Sequence, residues 1–530
     1  MKRWGVLVAA LLVLAGLGFY FTSTQDEGPD RITLNRGLSS DPESLDPQKA
    51  RSVQAASVVR DIGEGLTSYS PSGELVPGAA ASWTVSDDGL EYTFALREGL
   101  LWSDGEPLTA AHFVHGFRRL VDPAVGAFYS QTATDIVNAS AIIAGDAEPE
   151  SLGVEALDDR TLRIQLEQRV PYLLALVSHP SMFPARPDQD ASGSRPGVFN
   201  GAYTVAEWQP GSLVRLERNE NYWDAANTAI EVVNFYIITE EAAELNRYRA
   251  GELDVTNNVP PSLFIDPEPA LMPDLHVASY LGVYYYGFNM TKPPFKDNPE
   301  LRQALSMAID RERLVEQVTR RGEQPAYSFV PPGVYNYESV QLPYASLSRD
   351  QRNAAARRML AAAGYGPDNP LTIEVRYNTS DTNRRIAVAI QAMWNEVVGV
   401  EAVLINEEFQ VMLSNINARE ITQVFRSSWI GDYNDAQTFL GTMESKSSSN
   451  LPGYSNPDYD DLMERAAGQT DLDARRLYLE EAERVLLNDH AIIPLYFYVS
   501  KHLVSPKVSG WQDNVLDYHY SRHLKLDAAN

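Results

Sequence analysis

Two apolar periodicities take turns along this chain, and their alternation limits the fold more than any other feature. The segments EYTFALREG (91–99) and TLRIQLEQ (161–168) alternate apolar and polar residues. Neighbours two apart share one face of a strand, so both read as half-buried strands. LTIEVRYNTS (371–380) reads as a third strand. In TNRRIAVAIQAMWNEVVGV (382–400) the apolar residues Ile386, Ile390, Met393, Trp394 and Val397 instead recur at the spacing of one helical face. A helix over about 350–363 ends at Gly364, and LRQALSMAIDRERLVEQVTRRG (301–322) reads as one amphipathic helix stopped by Gly322. Strand and helix in turn predict an α/β fold with a mostly parallel sheet. A chain of 530 residues exceeds one ordinary core, so two or three lobes are expected. No low-complexity linker separates them and no internal repeat is found, so the lobes must be contiguous in space.

Composition then limits compartment and ligand. The chain carries 71 Asp and Glu against 44 Lys and Arg, a formal net charge of −27. Such a surface repels nucleic acid and anionic lipid, and neither is expected as a partner. The acidity reads as a solvated, solubility-favouring face. There is no cysteine, which removes thiol catalysis, disulfides, zinc–thiolate sites and a lipid-modified amino-terminal cysteine. The first residues place Lys2 and Arg3 before an apolar run from Val6 to Phe21. That order of charge and hydrophobicity is an export signal. Phe19, Tyr20 and Phe21 stand where a small-residue cleavage site would fall, so segment 1–29 is either a signal peptide or an N-terminal anchor. The rest is expected to be a soluble body beyond the inner membrane.

Enzymatic motifs find no anchor. His112 and His115 lie three apart on a predicted helix, and His519 and His523 four apart near the end. Without an H-E-x-x-H motif, chance spacing is the better reading, and no metal or cofactor is expected. No phosphate-binding loop, dinucleotide fingerprint or G-x-S-x-G elbow is present. The positive signal is aromatic: VYYYGFNMTKPPF (283–295) and IIPLYFYVSKHL (492–503) put tyrosines and phenylalanines in consecutive positions. On a strand such a run coats both faces, so core packing and a cleft lining remain equally open.

The ordered segments SLDPQKA (44–50), LVPGAAASW (75–83), LWSDGEPLTAAHFVHGFRRLVDP (101–123), NGAYTVAEW (200–208), LERNENYW (216–223), NRYRAGELDVTNN (246–258), YYYGFNMTKPPF (284–295), PAYSFVPPG (325–333), YNTSDTNRR (377–385) and SSWIGDYND (427–435) resemble one family. It is that of the periplasmic oligopeptide-binding proteins of ABC importers, in the extracellular solute-binding class that includes peptide, murein-peptide and nickel binders. The likeness runs over about residues 31–526. It implies an α/β, periplasmic-binding-protein type II-like two-lobed hinged fold with an additional amino-proximal domain. Lobe I would comprise 30–63, 187–283 and 500–530, the additional domain II 64–186, and lobe III 284–499. Two crossings, near 283 and 500, would form the hinge. The resemblance further implies an oligopeptide ligand, ABC permease subunits as partners, a monomeric protein and no catalysis. A hydrolase on a similar body is the competing class, and recovery of intact ligand separates the two.

A peptide of arbitrary sequence offers only three constant features: an ammonium, a carboxylate and a backbone. A free strand edge can read that backbone without reading side chains. Asp432 looks like the family aspartate that captures the ammonium, and Ser428 and Ile430, flanking Trp429, resemble the segment whose backbone pairs with ligand. Arg426 matches the family arginine for carboxylates. It lies six positions before Asp432, which in a fully extended chain is about 20 Å. Tyr129, Trp394, Asn257, Asn258 and Val53 match other cleft positions. Departures concern Asn383 and Thr319, where the family's typical enteric member has histidine and lysine, and Arg51, which replaces a glutamate. They leave open a preference for peptide length, or for murein peptides or other solutes.

Overall fold

The computed structural model describes residues 31–188 and 197–527. The expected signal or anchor, 1–29, lies outside the described residues. The largest sheet has six strands, in the spatial order Gln324–Pro325, Ile492–Leu503, Leu275–Phe288, Val424–Ile430, Thr372–Asn378 and Glu401–Glu407. Its first three pairings are antiparallel and its last two parallel. A second sheet, of Ala80–Val85, Glu91–Leu96, Thr161–Gln165 and Val154–Asp158, is antiparallel throughout. A third joins Thr33–Leu38, Val232–Ile237, Leu213–Arg218 and Tyr203–Gln209, with only the first pairing parallel. The expected mostly parallel sheet is therefore corrected to two mixed sheets and one antiparallel sheet. Alternating strand and helix patterns do not require βαβ crossovers, and here two long strands run past one another in opposite directions.

Local signals explain most elements. Helix Asp381–Val398 begins where the Ser380 side chain accepts from the Asn383 N–H, and ends at Gly399 with φ of 70°. Its expected apolar face is the buried one: Ile386, Ile390, Met393, Trp394 and Val397 all enter the core. Segment 301–322 departs from the single helix expected. It divides into Pro299–Met307, a short turn Arg311–Arg313 and a wide turn Leu314–Thr319. Asp310 caps the second piece by accepting from the Arg313 N–H. The fully buried Arg311 donates to the carbonyls of Pro494 and Ser306. A buried guanidinium needs such acceptors, and reaching them breaks the helix.

Both tyrosine runs are core strands. Tyr284 and Tyr286 join one apolar cluster and Tyr285 joins another on the opposite face. Tyr284 stacks on Tyr496 with centroids 4.7 Å apart. Other clusters collect residues 66–182, and residues 34–62 with 183–235. Among the described residues no helix is long and apolar enough to cross a membrane.

Candidate functional site: an open strand edge and its cleft

Strand Val424–Ile430 is paired along its whole length with Leu275–Phe288, yet with Thr372–Asn378 only at Val424 and Phe425. From Arg426 to Ile430 its second edge has no strand partner among the described residues. The phase of the ladder follows from its two ends: the Asn289 N–H donates to the Gln423 carbonyl at 2.9 Å, and the Gly431 N–H to the Leu281 carbonyl at 2.8 Å. Antiparallel partners alternate between bonded and non-bonded pairs. Odd-numbered residues of the strand therefore bond inward, and the even-numbered ones turn outward; the register of Arg376 against Phe425 commits the Arg426 N–H to the neighbouring strand, so the Arg426 C=O and the N–H and C=O groups of Ser428 and Ile430 are turned toward the open edge. Glycine makes the close approach possible at the far end. A Cβ on Gly431 would lie 2.6 Å from Leu281 Cδ2, and one on Gly282 would lie 2.5 Å from Ile430 Cδ1.

Immediately beyond the strand come two aspartates with opposite circumstances. Asp435 is buried and holds Arg475 through two bonds of 2.7 and 2.8 Å, a structural ion pair. Asp432 has only its backbone N–H engaged, by Thr438 Oγ1 at 3.1 Å. Its carboxylate has no ion pair or hydrogen bond among the described residues. It faces the water of a cleft but is crowded by protein, and this desolvation pushes its carboxyl pKa up to about 6.

The cleft has a volume of about 280 Å³, and Arg51, Val53, Tyr129, Asn257, Ile430 and Asp432 all line it. Segments far apart in sequence thus meet at one end of the open edge. Tyr129 donates its hydroxyl to the Arg51 carbonyl at 3.2 Å and packs edge-on to His179, 4.7 Å between centroids. Asn257 and Asn258 are held by Glu244, whose carboxylate accepts both backbone N–H groups at 2.5 and 3.2 Å. Burial pushes the Glu244 pKa up to about 7.

Arg426 lies in a different setting. Its guanidinium sits 4.8 Å from the centre of the Tyr284 ring and donates to Asn378 Oδ1 at 3.3 Å. Asn383 joins the same group, donating to Asn378 Oδ1 at 2.9 Å and accepting from the Tyr284 hydroxyl at 3.1 Å. No carboxylate pairs with Arg426 among the described residues. Ser428 stands opposite Tyr284 in the ladder. Trp429, on the alternate face, is half-buried against the core that contains Tyr285.

Trp394 corrects the expectation of a cleft residue. It is fully buried in the core and donates its indole N–H to the Leu305 carbonyl at 2.9 Å, so no ligand reaches it. Thr319 is likewise buried, bonded to Glu323 at 2.9 Å. The cleft also contains residues that sequence reasoning missed: Arg60, whose guanidinium lies 3.8 Å from the centre of the Tyr518 ring, together with Tyr280, His179, His502, Asp517 and His519. The spacing-based pairing of His519 with His523 is replaced by one of His519 with His502 through Asp517. The only sequence signal there is the polar–aromatic alternation of DYHY (517–520).

A family model for bacterial extracellular solute-binding proteins, family 5, matches residues 74–450. The chain belongs to this family. It is 37% identical to the periplasmic murein peptide-binding protein MppA of Escherichia coli K12, over 99% of each chain. The unliganded open form of the murein tripeptide-binding protein MppA superposes with a TM-score of 0.86 at 36% identity, over 94% of this chain and 98% of that one. Haemophilus influenzae OppA in complex with the peptide RPPGFSPFR superposes at 0.74 with 34% identity, over 94% and 100%. The α/β, two-lobed type II-like fold expected from the sequence is the fold of these neighbours.

Proposed function

We propose that the protein is the extracytoplasmic substrate-binding component of an ABC peptide importer, and that it takes short peptides in extended form. One observation carries this: a strand edge that among the described residues has no strand partner from Arg426 to Ile430 and runs directly into a crowded carboxylate, Asp432, with no partner among them. An extended peptide completes the edge by β-augmentation while its α-ammonium supplies the charge that Asp432 lacks. Arg426, with Asn383 and Asn378 beside it, receives the peptide's carboxylate; Ser428 and Ile430 give the backbone contacts. Tyr129, Asn257, Asn258, Arg51 and Val53 enclose the amino end, and Trp429 buttresses the strand from behind.

Lobe I (30–63, 187–283, 500–530) and lobe III (284–499) close over the ligand, with domain II (64–186) attached to the first. Support comes from the separate apolar clusters of residues 66–182 and of residues 34–62 with 183–235 and Leu524, and from the two long strands Leu275–Phe288 and Ile492–Leu503 near the lobe boundaries. The higher TM-score with an unliganded open form than with a peptide complex supports reading this conformation as open. Peptide binding then shifts the population toward a closed form that docks on the permease. The protein acts as a periplasmic monomer, exported by segment 1–29 and free or tethered according to whether that segment is cleaved.

Titration calorimetry with tri- to pentapeptides, each with a free and an acetylated amino terminus, tests the reading. Free peptides bind and acetylated ones do not, and the ligand is recovered intact. Equal affinity for both forms, or hydrolysis, overturns it. The likeness to MppA and the departures at Asn383 and Arg51 favour a second reading, a murein peptide with a free α-amino group. Native mass spectrometry of protein purified without refolding separates the two: a mixed ladder of peptides supports the first, a single cell-wall species the second.

A further inference from the structure

The cleft that holds Asp432 also contains a cluster that peptide capture does not use. His502 Nε2 lies 2.8 Å from Asp517 Oδ1, and His519 Nε2 lies 3.0 Å from the same oxygen. All three residues line the cleft, and their ligand atoms lie within 4.8 Å of one another. The other nitrogen of His502 fixes its chemistry. Nδ1 is 2.8 Å from the Thr256 carbonyl, which can only accept, so Nδ1 carries the proton. In a neutral imidazole the Nε2 lone pair then points at a carboxylate oxygen. Two acceptors at that distance need a cation between them, either a second proton or a metal ion.

The surroundings suit the metal. A backbone carbonyl on the far nitrogen is the usual way to orient a ligating histidine. The His519 ring is held by stacking on Trp511, 3.6 Å between centroids and 15° from parallel. Asp517 sits in a left-handed backbone conformation, φ 58°, that turns its carboxylate between the two rings. Arg36 lies close by, donating to the His519 carbonyl at 2.9 Å, but Asp61 lies 3.9 Å from its guanidinium and offsets its charge. Ligand atoms in a tetrahedral site are about 3.3 Å apart for bonds of roughly 2.0 Å, so a small spreading of the trio admits an ion. Two imidazoles and one carboxylate favour zinc, nickel or copper over calcium or magnesium.

We propose that His502, Asp517 and His519 form a three-ligand site for a divalent transition ion, built into the cleft wall with its open coordination position toward the bound solute. Water, or an amine, carboxylate or imidazole of the solute, completes the coordination. The cleft would thus read donor groups of its ligand through a metal as well as through Asp432.

The test uses the untagged full chain, stripped with a chelator, and Zn(II) as the probe in titration calorimetry, with Co(II) absorption as an independent readout. One equivalent of Zn(II) is expected, together with an intense visible Co(II) band from nitrogen ligation. His519→Ala and His502→Gln abolish both, while His115→Ala, outside the cleft, changes neither. Circular dichroism and the thermal melt in the presence of chelator establish that the variants are folded, and because Zn(II) binding is read without peptide, loss of metal is separated from failure of the peptide reading. If His502→Gln fails to fold, His519→Ala alone decides. Absence of a stoichiometric site in the wild type, or an unchanged one in His519→Ala, overturns the proposal and leaves a proton between His502 and Asp517.

Discussion

The two ends of strand Val424–Ile430 are built on opposite principles. At one end Asp432 is crowded and has no counter-ion among the described residues, and its carboxyl pKa is pushed up to about 6 by desolvation. At the other, Arg426 already rests on the Tyr284 ring and bonds Asn378. An unpaired group gains most when its partner arrives, because the cost of desolvating it is already present in the empty protein. A pre-satisfied group gains less, since it exchanges existing contacts for new ones. The anionic end should therefore dominate affinity, while the cationic end contributes to both affinity and stability.

The sharpest way to break that contrast is Asp432→Asn. Removing one partner of a charge pair that is buried on closure costs about 3–5 kcal/mol, so peptide affinity should fall at least a hundredfold by calorimetry. The melting temperature of the empty protein should stay level or rise. A normal affinity would remove the ammonium from the site. Next in size is Arg426→Ala: loss of a charged hydrogen bond costs about 2 kcal/mol, roughly a thirtyfold weakening. Here the empty protein should also melt lower, because the Tyr284–Asn378–Asn383 group loses its centre. Equal effects of both variants on stability would erase the distinction.

Proton uptake sharpens the same contrast. With a carboxyl pKa of about 6, Asp432 is ionised at pH 7 and mostly protonated at pH 5. Peptide affinity should fall about tenfold between those values, at most a decade per pH unit, and Asp432→Asn should flatten the profile. The sign for stability is the reverse. A carboxyl whose folded pKa is raised contributes stability below its unfolded value near 4, which is lost as the pH rises through about 6. Melting of the empty wild type and of the variant, compared across that window, isolates the term.

What the sequence shows of this molecule depends on the range of the signal. Periodicity located strands and helices, and on helix Asp381–Val398 it put Trp394 on the apolar face that proves to be core. The family resemblance put the same residue in the cleft, and local pattern was the better guide because it counts neighbours on one face. Arg426, Ser428, Ile430 and Asp432 were singled out by the family resemblance, which could do so because they occupy one short stretch, and the structure places them along and just beyond one strand. The break in segment 301–322 was not legible, because it is set by acceptors for Arg311 that include the carbonyl of Pro494. Nor was the His502–Asp517–His519 cluster, in which the histidines stand on different segments and no short spacing marks them.

The smallest expected effect tests the ladder itself. The Arg426 carbonyl and the backbone groups of Ser428 and Ile430 face the open edge, and a ligand strand pairing there alternates bonded and free amides with the same period of two. Replacing one peptide amide N–H by N-methyl removes a donor worth about 1 kcal/mol and leaves both termini intact. Affinity should drop about fivefold when the methyl falls on an amide that faces Ser428 or Ile430, and stay nearly constant on the alternate positions. A uniform loss at every position would instead indicate steric exclusion by a closed pocket. No loss anywhere would mean that the termini alone hold the peptide, and the contrast between the strand's two ends would then account for all of the affinity.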